Sequence, residues 1–121
     1  MIIGDAIKEA DRLKPNAFPT EDKLRWLERL ERRVREEVLA HYTGTVPEVE
    51  PFTTDDLENE LLVPAPYEEM YIHWLCAMMD YYEREIDSFN ASNAMFEAVF
   101  VLFRNWYNWN HEANRAVKRY F

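Results

Sequence analysis

At 121 residues the chain has the length of one domain with a real core, and no room for a second. Two glycines are too few for the φ > 0 turns of hairpin-rich β folds, and the single cysteine, Cys76, excludes an internal disulfide and a cysteine-based zinc site. A net charge of −9 disfavours general DNA binding, which needs a cationic surface to release counterions.

The charge is unevenly placed. Residues 1–42 carry nine bases and nine acids, residues 43–70 carry eight acids and no base, and residues from 71 onward carry six acids and five bases. No run of about 18 apolar residues offers a membrane span. The opening Met1-Ile2-Ile3-Gly4-Asp5 lacks the basic and long apolar regions of a secretory signal, so a cytoplasmic product is expected.

Ile3, Ala6, Ile7, Ala10 and Leu13 recur at helical spacing and predict a helix over about 3–13, ending before Pro15. Its apolar stripe is narrow, so its stability must come from docking. Pro15-Asn16-Ala17-Phe18-Pro19 reads as a turn, and Thr20 as the N-cap of a second helix over 20–42. The inner face of that helix is Leu24, Leu27, Leu30, Val34, Val38 and His41. On its outer face Glu21 and Arg25, Glu28 and Arg32, and Glu31 and Arg35 stand at i,i+4. These pairs account for the local arginine density, with Arg25, Arg29, Arg32 and Arg33 as a candidate protein-contact patch.

Residues 43–65 form an irregular acidic loop. It is either solvated or ordered against a neighbouring subunit or another protein. Glu60-Leu61-Leu62-Val63 has strand character, but a single strand has nothing in this chain to pair with.

A third helix is expected over 66–89, with Pro66 in its first turn and a broad apolar face from Tyr67 and Met70 through Tyr81, Tyr82, Ile86 and Phe89. A break near Ser88 to Asn93 precedes a fourth helix over 92–118. The expected fold is all-α, an antiparallel bundle of four helices (3–13, 20–42, 66–89, 92–118) in a single domain spanning 1–121. Its core is nominated as Leu27, Val34, Tyr71, Trp74, Met78, Phe96, Phe100, Phe103 and Tyr107. Residues 111–121 form a basic C-terminal segment.

The sequence nominates no chemistry. His41, His73 and His111 fall on three helices outside any metal-ligand repeat, and Glu69 with His73 supplies neither copy of the Glu-x-x-His motif of di-iron bundles. Asp80, Glu83 and Asp87 read as a solvated face near Arg84, and Cys76 as a small buried hydrophobe. Phosphate-binding loops, nucleophile elbows, HExxH, EF-hands and dinucleotide fingerprints are missing. Catalytic residues, metal ligands and cofactors are therefore expected to be none.

Leu62-Val63-Pro64-Ala65-Pro66-Tyr67-Glu68-Glu69-Met70-Tyr71, then Trp74-Leu75, Met79-Asp80-Tyr81, and Asn90 through Asn93-Ala94-Met95-Phe96 to Trp106-Tyr107 form one arrangement. Ala10-Asp11, Leu13-Lys14-Pro15-Asn16 and Lys23-Leu24-Arg25-Trp26-Leu27 precede it. The combination, over about residues 1–110, resembles small proteins from the head-gene region of tailed phages and prophages of Firmicutes. The resemblance implies a head-tail connector, or head-completion adaptor: a non-catalytic virion structural protein that self-associates as a ring on the portal and touches other neck proteins. It implies portal contacts at Arg115, Lys118, Arg119, Tyr120 and Phe121. The inter-subunit or channel-facing groups would be Asp55, Asp56, Glu58 and Glu60, whose charge would let DNA slide past. The implied location is the host cytoplasm during assembly and then the virion neck, with neither sequence-specific nucleic acid nor membrane as partner. A monomeric helical module that binds one protein through its aromatic surface is the alternative, and a small enzyme is a third reading.

Overall fold

A computed structural model describes residues 1–41 and 48–110. Four helices make up the fold: α1 (Ile3–Leu13), α2 (Thr20–Glu37), α3 (Glu69–Tyr82) and α4 (Ile86–Asn110), with 3-10 turns at Leu39–His41 and Thr54–Asp56. The all-α, four-helix architecture expected from periodicity is the observed one. Among the described residues the only β pairing is an isolated antiparallel bridge between Ile2 and Glu60.

Helix directions follow from which ends meet. Met1 lies against Glu68 and Lys14 against Asp80, so α1 and α3 run the same way. Trp26 stacks on Tyr82 while Glu31 reaches Tyr71, so α2 runs opposite to α3. Ser92 meets Asp80 and Phe103 meets Tyr67, which makes α3 and α4 an antiparallel hairpin. Burial of Ile3, Ala6, Ile7 and Ala10 on α1, of Leu24, Leu27, Leu30 and Val34 on α2, and of Phe96, Phe100 and Phe103 on α4 closes the core around α3. Of the nominated core, only Trp74 and Tyr107 keep partial exposure.

Three boundaries differ from expectation. Thr20 is the first helical residue rather than the cap: Pro19, extended at φ −69° and ψ 157°, leads into the helix and no side chain caps it. The α2 helix stops at Glu37, where Val38 turns inward, fully buried, and the chain tightens into the 3-10 turn. Pro66 lies ahead of α3, after a cis Ala65-Pro66 bond. Successive bonds from Tyr67 N–H to the Pro64 carbonyl and from Met70 N–H to that of Tyr67 lead into the helix.

The largest difference is the break between α3 and α4, found at Glu83–Glu85 and not at Ser88–Asn93. Arg84 takes a left-handed conformation (φ 60°), its N–H bonding the Tyr81 carbonyl while the Glu85 N–H bonds that of Asp80. This is a Schellman ending with arginine where glycine is usual. The Asn- and Ser-containing run is instead helical, with the Ser92 hydroxyl donating to Asp80 Oδ2 at 3.2 Å. Arg84→Gly relieves the Cβ strain of the left-handed position and raises the unfolding free energy by about 1 kcal/mol, read from urea denaturation.

The long connection does not stand off in solvent. Phe52 N–H donates to Glu28 at 3.1 Å and Leu62 N–H to Glu31 at 2.8 Å. The Ile3, Gly4 and Leu61 amides bond the carbonyls of Asn59, Leu57 and Met1 respectively, so the segment expected to have nothing to pair with pairs with the start of α1. The approach is close at Gly4, where a Cβ would stand 3.1 Å from the Leu57 carbonyl oxygen and the strap would have to give by a few tenths of an ångström. Leu61 and Val63 are buried, and the segment works as a strap across the end of the bundle where α1 and α3 begin.

Candidate interaction surface

At the opposite end the α1–α2 turn, the start of α2, the end of α3 and the start of α4 converge. The turn is built by Asn16, whose side chain bonds Asp11, the Lys14 carbonyl and the Phe18 N–H. That geometry presents Phe18 edge-on to Trp26, with ring centroids 5.3 Å apart. Trp26 is stacked on Tyr82 at 5.6 Å and 9°, Tyr82 meets Tyr81 edge-on at 5.1 Å, and Tyr81 meets Phe89 at 5.8 Å. Five aromatic rings thus run in an unbroken row across three helices and a turn.

Two members of the row face water. Tyr81 is 58% and Tyr82 50% exposed, whereas periodicity alone placed both in the core. They occupy the last turn of α3, and because Arg84 reverses the chain immediately afterwards, α4 does not cover them. Ile86, expected on the same buried face, is 66% exposed for the same reason.

Two adjoining clefts open on the row. The larger, about 340 Å³, is walled by Trp74, Met78, Tyr81, Tyr82 and Phe89, with Asn93 and Arg29 at its margin. The smaller, about 210 Å³, lies between Phe18, Trp26 and Tyr82 with Asp22, Arg25 and Arg29. Arg29 and Tyr82 border both. The Trp74 indole N–H donates to the Trp26 carbonyl at 2.8 Å, which fixes the wall between α2 and α3. The larger cleft, with apolar walls, one guanidinium and one amide, suits an extended peptide segment with an aromatic or aliphatic anchor and a nearby carboxylate.

The four arginines of the candidate patch have separate fates. Arg25 pairs with Asp22, not Glu21; Arg32 pairs with Glu28 at 3.1 Å as expected. Arg33 pairs with Glu37 and Glu97 and lies 4.4 Å from the Phe100 ring centroid. Arg29 is left exposed at the clefts. Glu31 does not bridge Arg35 on the outside. It is buried, accepting from the Tyr71 hydroxyl at 2.5 Å and from the Leu62 N–H, while Arg35 pairs with Glu36 and Glu48. Burial raises the Glu31 pKa, and burial together with the Glu31 charge holds the Tyr71 hydroxyl well above its usual value.

Asp80 is likewise not on a solvated face. It is fully buried, with Lys14 Nζ 2.8 Å from Oδ1 as that oxygen's ionic partner and Ser92 on the other oxygen. The hydrogen bond to Asp80 holds the Lys14 ammonium above its ordinary pKa. The buried Lys23 reaches Asp11 at 2.8 Å. Asp11, Lys14, Asn16, Lys23 and Asp80 therefore form polar clamps that hold the helices in register. Cys76 is buried, and burial pushes its thiol pKa up, away from the reactive thiolate.

Asp55, Glu58 and Glu60 are exposed on the strap, with Glu60 beside the Met1 amine, while Asp56 accepts from the Thr53 N–H at 2.7 Å and the Asn59 amide. The aromatic clefts lie at the other end of the bundle. Arg115, Lys118, Arg119, Tyr120 and Phe121 lie outside the described residues. Among the described residues no three His, Cys, Asp or Glu side chains converge as metal ligands, and no helix is long and apolar enough to cross a membrane. Comparison with known protein families, curated proteins and solved structures finds no match.

Proposed function

We propose that this protein is a non-catalytic adaptor which docks on a larger assembly through its aromatic clefts and, following the connector resemblance, that the assembly is the portal of a tailed-phage head. The observation that carries the docking reading is the exposure of Tyr81 and Tyr82 beside Arg29 at the mouth of two adjoining clefts. Large aromatics and arginine are the side chains most often responsible for binding energy when a partner desolvates them. The partner segment supplies an apolar anchor for the larger cleft and a carboxylate for Arg29. The exposed acids Asp55, Glu58 and Glu60 support a DNA-repelling channel surface at the far end.

The test is to mix the purified protein with the portal protein of the same gene cluster, measure binding, and look for a ring by electron microscopy. Tyr81→Ala with Tyr82→Ala is expected to weaken portal binding by about 30-fold or more, the scale of a hot-spot pair, with the helical circular dichroism unchanged. Portal binding that survives the double change overturns the docking surface. Absence of portal binding, together with cleft-dependent binding to some other protein, replaces the connector with the single-partner module.

A further inference from the structure

A groove of about 250 Å³ opens between the strap, the start of α1 and the middle of α2. Ile3, Val49, Phe52 and Leu62 give it apolar walls, and Glu48, Glu50, Asp56 and Glu60 line it with carboxylates. Arg35 takes Glu48 at 3.1 Å and the Met1 amine takes Glu60 at 3.0 Å, which leaves Glu50 and Asp56 with no cation among the described residues. The strap cannot supply one, since residues 43–70 hold no base. The groove therefore combines room for a large apolar side chain with an excess of negative charge at its edge.

We infer that residues 111–121 of the same chain dock in this groove, with Tyr120 and Phe121 against its apolar walls and Arg115, Lys118 and Arg119 against its carboxylates. Charge selects the occupant. Of the stretches outside the described residues, 42–47 carries no charge, whereas 111–121 carries three bases against the single acid Glu112 and ends on two aromatics.

Position selects it as well. The last turns of α4 lie at the strap end of the bundle, where Trp106 packs on Tyr67 with ring centroids 5.5 Å apart. The next residue, Glu68, holds the Met1 amine at 3.0 Å, and the same amine holds Glu60 on the groove. The path from α4 to the groove is thus about two helix spacings, roughly 20 Å. Residues 111–121 reach up to about 36 Å when extended, so the segment closes on its own molecule. A short tether of this kind gives an effective concentration in the millimolar range, well above that of a second copy at micromolar protein. Held there, the segment buttresses the strap where Glu28 and Glu31 anchor it, and any partner that binds the segment must first draw it out of the groove. The inference rests on neither the connector reading nor the aromatic clefts, and its readout is independent of portal binding.

The test is disulfide trapping in the full chain with Cys76→Ala. Val49→Cys with Val117→Cys is expected to close an internal disulfide about tenfold or more faster than Lys8→Cys with Val117→Cys under the same oxidant. Lys8 is the control because it lines a separate groove beside Glu68, the neighbour of the α4 contact Tyr67. Reversing the charges together, by Arg115→Glu, Lys118→Glu and Arg119→Glu, is expected to lower the ratio of the two rates by about fivefold or more. A groove rate no greater than the control rate, or a ratio indifferent to the charge reversal, overturns the inference. So do covalent dimers in place of the internal disulfide at about 1 μM protein, which would assign the groove to the tail of a second copy. Circular dichroism of each variant confirms that its bundle is folded.

Discussion

Replacing Lys14 with methionine is expected to lower the unfolding free energy by about 3 kcal/mol, because Asp80 then stays buried as an ion without its counter-charge. Asp80 sits at the junction of α1, α3 and α4, and its side chain is 1% exposed against 29% for Lys14. The cation's partial access to water puts the cost at the low end of the range for a severed buried pair. The remaining partner, Ser92, contributes one neutral hydroxyl at 3.2 Å, which does not replace an ammonium at 2.8 Å. The pair itself is worth far less than its severance, so Lys14→Met with Asp80→Leu recovers most of the loss. Urea titrations of the two variants decide the matter: a single variant within 0.5 kcal/mol of the parent would mean that Asp80 is not held as an ion.

Removing the Tyr71 hydroxyl has a comparable effect through a different route. That oxygen donates to Glu31 and accepts from the Val63 N–H at 3.0 Å, so Tyr71→Phe leaves the Val63 amide without its partner and the Glu31 carboxylate with the Leu62 N–H alone of its two. The expected loss is about 2–4 kcal/mol, well beyond the cost of an isolated hydrogen bond. Glu31 then gives the site a pH signature. Burial raises its pKa in the folded state above the ordinary 4.5, so the fold holds this proton more tightly than the unfolded chain does. Its contribution to stability is complete below pH 4.5 and is lost as pH rises through the raised value. Glu31→Gln retains an acceptor for the Leu62 N–H and has no proton to lose. The stability of this variant relative to the parent must therefore climb across that window and then level off. A difference that is flat with pH, or that falls, would show that Glu31 is not desolvated.

The parts of the fold that were legible in the sequence are those set by local chemistry. Pro15 ends α1, the spacing of Ile3 to Ala10 marks its buried face, and Leu27, Val34, Phe96, Phe100 and Phe103 are all in the core. The hairpin break was misread because an asparagine- and serine-containing stretch looks like a loop, whereas the actual reversal uses an arginine in a glycine's conformation. Glu31 and Asp80 were misread for a related reason. Each has a plausible neighbour one turn away, Arg35 and Arg84, but its true partners lie elsewhere in the chain, on the strap or on another helix. The clefts depend on where α3 stops: with the helix continuing to residue 89, Tyr81 and Tyr82 would have been core. A shift of seven residues in one helix end thus changes two aromatics from packing groups into a surface.

The strap also orders events in time. The α3–α4 hairpin is closed by contacts between residues close in sequence, so it can form quickly with little loop entropy to overcome. The bridge from Ile2 to Glu60 joins segments separated by two helices and a long connection, and it has a docking site only after α1 and α2 are in place. High contact order therefore concentrates at one end of the bundle. The Leu61 and Leu62 amides are the last to be protected during folding and the first to exchange with solvent in the native state, while those of α3 report global unfolding.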